Sequence, residues 1–186
     1  MRPAASFTAI LAMVFCAPVS FLALGIASAQ STDKTSASCV APEYRQFDFW
    51  IGRWEVFDPS GKKVGDSRID RINDGCALLE NWTGGGSVTG KSLNIYDSED
   101  RQWHQFWVDS SSSRLMLDGK FADGKMILAG TKVDPKKPEN AVIQRITWSR
   151  NGDGSVRQLW ESSGDGGKKW TTAFDGKYVK AKAAAQ

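Results

Sequence analysis

The 186-residue sequence holds one histidine, three cysteines, four methionines and three tyrosines, and these scarcities narrow the functions open to it. A single imidazole, His104 in QWHQFWVDSS, cannot assemble the usual zinc site of several histidine and cysteine ligands, so no metal is expected. No serine or cysteine stands in a recognisable nucleophile turn, which argues against a histidine-based triad. The 24 basic residues nearly balance 21 acidic ones. The lysines of Lys136-Lys137, Lys168-Lys169 and the tail (Lys177, Lys180, Lys182) are spread between different turns and strands, without the basic stripe that nucleic-acid binding needs. Between Gly52 and Lys177 no helix-length segment has 3.6-residue periodicity. Long uncharged runs are absent too, except at the start.

There, Arg2 precedes an uncharged run from Phe7 to Ala27 that ends in Ala27-Ser28-Ala29. This is the order of a secretory signal peptide over residues 1–29, and it predicts an exported protein, periplasmic or secreted. Pro18 and the small-x-small end favour cleavage over a retained anchor, so no stable membrane insertion is expected afterwards. The remaining 157 residues suit one domain and carry a formal charge of +2. Residues 30–41 read as a flexible leader and 181–186 as a disordered tail. Cys39 and Cys76 survive cleavage. An even count in an exported chain predicts a disulfide, whose 37-residue loop would stabilise the fold by about 4 kcal/mol on chain-entropy grounds.

Pro42 opens PEYRQFDFWIG, where proline and an acidic residue at a first turn predict a short helix ending at Gly52. Its aromatic density suggests a plug. From Trp54 onward, short alternating segments are cut by turn signals such as Pro59-Ser60-Gly61, Asn73-Asp74-Gly75, Ala122-Asp123-Gly124 and Asn151-Gly152-Asp153-Gly154. The pattern predicts an all-β domain over 42–180, a closed antiparallel meander barrel of about 8–10 strands. Leu115, Leu117, Gly119 and Phe121 fall on one face of their strand, and Val142, Gln144, Ile146 and Trp148 on one face of theirs. GGGSVTGKS, residues 84–92, places Gly85, Gly90, Lys91 and Ser92 at phosphate-loop spacing. Such a loop needs a following helix, whereas SLNIYDSED alternates and turns. A hairpin is predicted, with no nucleotide.

Candidate chemistry lies with carboxylates and indoles. Glu80 in LLENW and Glu161 in RQLWESS are both mid-strand beside tryptophans. Either, if inward, would have a raised pKa and become a candidate general acid or base; if outward, each would pair with Arg145 or Arg157. All eight tryptophans lie beyond residue 29. Most are expected in the core, with Gln105, Asn81 and Gln158 as partners for their N–H groups. Glu80, Trp82, Gln105, Trp107, Gln158 and Trp160 are the candidate ligand-binding set. Alternation puts His104 with Gln102, Phe106 and Val108 on what reads as the more apolar face; haem is not expected there.

The blocks PEYRQFDFWIGRWEV, GCALLENWTG, GKSLNIYD, WHQFWVDSS, LDGKF and VRQLWESSGDGGKKWTTAFDGKY resemble a family of mostly bacterial exported proteins with a lipocalin-like domain of unknown function. The resemblance spans roughly Pro42 to Tyr178 and implies a closed barrel related to the calycins, without an established activity. Gly52-Arg53-Trp54 is similar to the Gly-x-Trp start of lipocalins, whose tryptophan closes the barrel floor. The functional expectation is a barrel binding a small, partly apolar molecule. The alternatives are an enzyme of cyclase, isomerase or hydratase type working through an inward glutamate, and a filled barrel that acts through its surface.

Overall fold

Turn chemistry and strand patterning cut the chain much as the sequence predicts. The computed structural model describes residues 39–182; the predicted signal peptide, most of the predicted leader and the last four residues of the predicted tail lie outside them. Ten strands follow in order: β1 (Gly52–Phe57), β2 (Lys63–Ile72), β3 (Ala77–Gly84), β4 (Thr89–Asp97), β5 (Gln102–Asp109), β6 (Arg114–Ala122), β7 (Lys125–Asp134), β8 (Lys137–Arg150), β9 (Val156–Ser163) and β10 (Thr171–Lys180). Each pairs antiparallel with the next, and β10 returns to β1 through Trp54↔Lys180 and Val56↔Tyr178. Closure leaves no sheet edge open to another chain. At the β6–β7 hairpin, Asp123 (φ 51°) and Gly124 (φ 74°) both take left-handed backbone, the conformation a tight two-residue hairpin requires.

Alternation then sorts side chains into inside and outside. Leu115 and Leu117 are buried while Met116 between them is 59% exposed. On β8, Gln144, Ile146 and Trp148 are buried together, as their spacing predicts.

One end of the barrel is stoppered by the segment before β1. The predicted short helix is there, as two 3-10 turns, Pro42–Arg45 and Asp48–Trp50. Three residues per turn aligns positions three apart, and Phe47 and Trp50 are both fully buried. Phe47 stacks on Trp50 at 4.9 Å and meets Trp148 edge-on at 5.2 Å and Trp103 at 5.6 Å. Trp54 is buried beneath them, its indole N–H donating to the Trp50 carbonyl at 2.8 Å. The Lys180 ammonium sits 3.8 Å over the Trp54 ring and donates to the Ile51 carbonyl. The predicted Cys39–Cys76 disulfide is formed, with Cα atoms 4.9 Å apart. Arg45 reinforces it by donating to the carbonyls of Cys39 and Gly75, and Asp48 pairs with Arg71.

Candidate binding site

Because every strand reverses, all odd-numbered strands start at the plugged end and finish at the other. The far half of the barrel encloses a cavity of about 200 Å³. Trp82 on β3, Trp107 on β5, Trp160 on β9 and Phe174 on β10 form its walls, together with Leu115 and Ile146. Tyr178, whose ring lies 6.2 Å from Trp50, separates it from the plug. Glu80, Gln105 and Gln158 supply the polar groups. All six candidate residues named from the sequence therefore line one space.

Glu80 is 4% exposed and belongs to a hydrogen-bonded ladder running across four strands. Ser67 on β2 donates to Oε1 at 2.9 Å, and Ser92, directly opposite on β4, donates to Oε2 at 3.0 Å. Asn94 donates to Ser92 Oγ at 2.9 Å, and Gln105 donates to Asn94 Oδ1 at 2.8 Å. Burial pushes the Glu80 carboxyl up to about 7, against the smaller downward pull of the two serine bonds. Across the cavity, the Tyr178 hydroxyl donates to Gln158 Oε1. Burial, helped by the charge of Glu80, holds the Tyr178 phenol well above its ordinary value.

Three glycines make room for the aromatic walls, and this signal was missed in the sequence. An added Cβ would lie 2.5 Å from Trp82 Cη2 at Gly65, 2.2 Å from Trp107 Cη2 at Gly90 and 2.5 Å from Phe174 Cε1 at Gly176. Those rings pack directly on neighbouring backbone. Three indole N–H groups find partners other than those expected: Trp107 donates to Asp109 Oδ2 at 3.0 Å, Trp160 to Gln144 Oε1 at 2.6 Å and Trp103 to Gln46 Oε1 at 3.2 Å, while those of Trp50 and Trp148 are buried without one. Gln105 and Gln158 are engaged by Asn94 and Tyr178 instead.

Two positions fall on the outer wall. Glu161 alternates with inward Trp160 and takes the outward alternative, where Arg145 donates to its Oε2 at 2.9 Å; it does not line the cavity. His104 shares a face with Phe106 and Val108 as predicted, but that face is outward, with Phe106 at 43% and Val108 at 40% exposure. Both faces of β5 are rich in apolar side chains, so hydrophobicity does not identify the inner one. Burial acts against protonation of His104, yet bonds to Asp118 (2.6 Å) and Asp100 outweigh it and raise its pKa. Asp97, Asp100 and His104 gather within 4.8 Å, but both imidazole nitrogens already face carboxylates.

Residues 84–92 form the predicted hairpin between β3 and β4, with Lys91 outside donating to Asn81 and Ser92 inside on Glu80. Leu93, Phe106 and Met116 align across β4, β5 and β6 as an exposed apolar row on the outer wall.

No protein-family model matches the chain, and no curated protein matches it. A closed ten-strand antiparallel meander is compatible with a calycin-like fold.

Proposed function

We propose that this is an exported, lipocalin-like barrel that binds one small, partly apolar molecule in its interior. The observation that carries the reading is the aromatic cavity of about 200 Å³ with Glu80, Gln105 and Gln158 converging on it. Largely apolar walls with a few placed polar groups are what small-molecule sites are made of. Support for export comes from the signal-like residues 1–29 and from the Cys39–Cys76 disulfide, a bond that persists in oxidising compartments. The sequence blocks that resemble the lipocalin-like family support the same placement.

Native mass spectrometry of the processed protein from its exporting host tests this reading. A mass excess that disappears on denaturation is the expected result. Absence of any adduct, together with tryptophan emission unchanged by single-ring aromatic compounds, would overturn it.

One observation favours a second reading, an acid/base enzyme on the same barrel. Glu80 lines the cavity with its carboxyl near neutrality, where a proton-transfer group works best. Under that reading Glu80→Gln loses turnover of the bound compound while retaining its affinity.

A further inference from the structure

We propose that the cavity is built for a small organic cation, with an ammonium group against Glu80 and its body enclosed by Trp82, Trp107, Trp160 and Phe174. This rests on the interior-binding reading above and narrows it to a ligand class.

Charge gives the first argument. Among the described residues, Glu80 is the only acid lining the cavity, and no lysine, arginine or histidine lines it. The arginines of the neighbouring strands are committed outside the barrel, Arg145 to Glu161 and Arg157 to Asp175. Only two serine hydroxyls donate to the carboxylate, which ease its charge in part but supply no counter-ion and leave lone pairs free. A buried carboxylate without a counter-ion is costly. A cationic ligand supplies what is missing, and an anionic one would be repelled.

The walls give the second. Trp82, Trp107 and Phe174 lie against the glycine backbone of Gly65, Gly90 and Gly176. The N–H edges of Trp107 and Trp160 are taken up by Asp109 and Gln144. Trp82 and Phe174 meet edge to face at 6.1 Å, so the cavity is lined by aromatic surface with few free N–H groups, and aromatic faces attract cations, the more strongly when water is excluded. Gln105 adds to the preference. One of its two Nε2 hydrogens goes to Asn94, and its amide oxygen is a further acceptor.

Volume indicates the size of the part that is held. An apolar cavity of about 150 Å³ takes benzene, so about 200 Å³ has room for one ring and a short aminoalkyl arm, or for a compact quaternary ammonium.

The test is isothermal titration calorimetry on the processed, disulfide-bonded protein at pH 8, with benzylamine, 2-phenylethylamine and choline as cations. Benzyl alcohol serves as the neutral counterpart and benzoate as the anion. The best cation is expected to bind about tenfold or more tightly than benzyl alcohol, with benzoate weakest. Glu80→Gln should weaken that cation about tenfold while leaving benzyl alcohol within about twofold. Trp107→Leu, which keeps the carboxylate and removes one ring face, should narrow the gap between cation and alcohol. Cation affinity should also fall as pH drops below about 7. The one other titratable group on the cavity, Tyr178, stays neutral throughout. Equal binding of alcohol and cation, unaffected by Glu80→Gln, overturns the cation inference and leaves interior binding standing. Binding of none of these probes also overturns it, and the native mass measurement then decides interior binding separately.

Discussion

At the scale of single residues, Glu80 imposes a measurable pH dependence on the fold. Its carboxyl rests near 7 in the barrel against 4.5 when free, so the folded state holds the proton more tightly. Its contribution is therefore fully present below pH 4.5, lost as the pH rises to about 7, and constant above that. The loss is of order 3 kcal/mol. Denaturant titrations at pH 4.5 and 8 should show wild type losing stability by that order relative to Glu80→Gln. Gly90 makes a second point. A valine there would drive its Cβ into Trp107, 2.2 Å away at the closest ring atom, and push the indole into the cavity. Gly90→Val is expected to lower affinity for the cavity's ligand and to shift tryptophan emission, both readable in one fluorescence titration. Glu80 was legible as a candidate because it sits two residues from Trp82 on an alternating strand. Its separation from Glu161 follows from the same alternation once the indoles are placed: Glu80 shares a face with Trp82, whereas Glu161 is adjacent to Trp160 and falls outside, where it meets Arg145.

At the scale of elements, the plug is the part whose loss would be felt most. Phe47 and Trp50 are fully buried among Trp103, Trp148 and Tyr178, and no other segment among the described residues fills that end. Trp50→Ala should cost about 3–5 kcal/mol, as large core truncations do, measured by denaturant unfolding. Reducing or replacing the Cys39–Cys76 bridge should lower stability by up to about 4 kcal/mol for its 37-residue separation, and should release the plug's anchor before the barrel itself unfolds. Hydrogen exchange would show that order as early loss of protection at Phe47–Trp50. Proline and the aromatic run made this element readable in the sequence. Its 3-10 geometry was not, because the choice depends on bringing Phe47 and Trp50 onto the same barrel mouth.

At the scale of the whole molecule, closure joins the beginning of the domain to its end. β1 pairs with β10, and the Ala181 N–H reaches the Arg53 carbonyl at 3.0 Å. A circular permutant that keeps the plug, with a linker from Lys182 to Cys39 and new termini at Asp165–Gly167, is expected to fold. Near-UV circular dichroism, which reports the packed indoles, would check it. Closure also makes folding depend on contacts distant in sequence, and such topologies fold slowly, on the order of milliseconds to seconds.

The sequence by itself determined where strands begin and end, because turn residues and two-residue alternation are local properties of the backbone. It also marked the plug, the cysteine pair and a short group of indoles, glutamines and a glutamate. Only the tertiary structure decided which alternating face turns inward. Alternation has a period but no direction, and on β5 both faces are apolar, so the inner one is set by pairing with β4 and β6. The same pairing places Glu80 inside without a cation, gives Glu161 its arginine outside, and lets Gly65, Gly90 and Gly176 pass beneath the rings that bound the cavity. Apart from Phe174 and Gly176, which are neighbours along β10, these are relations across paired strands, set by register rather than by the pattern within one strand.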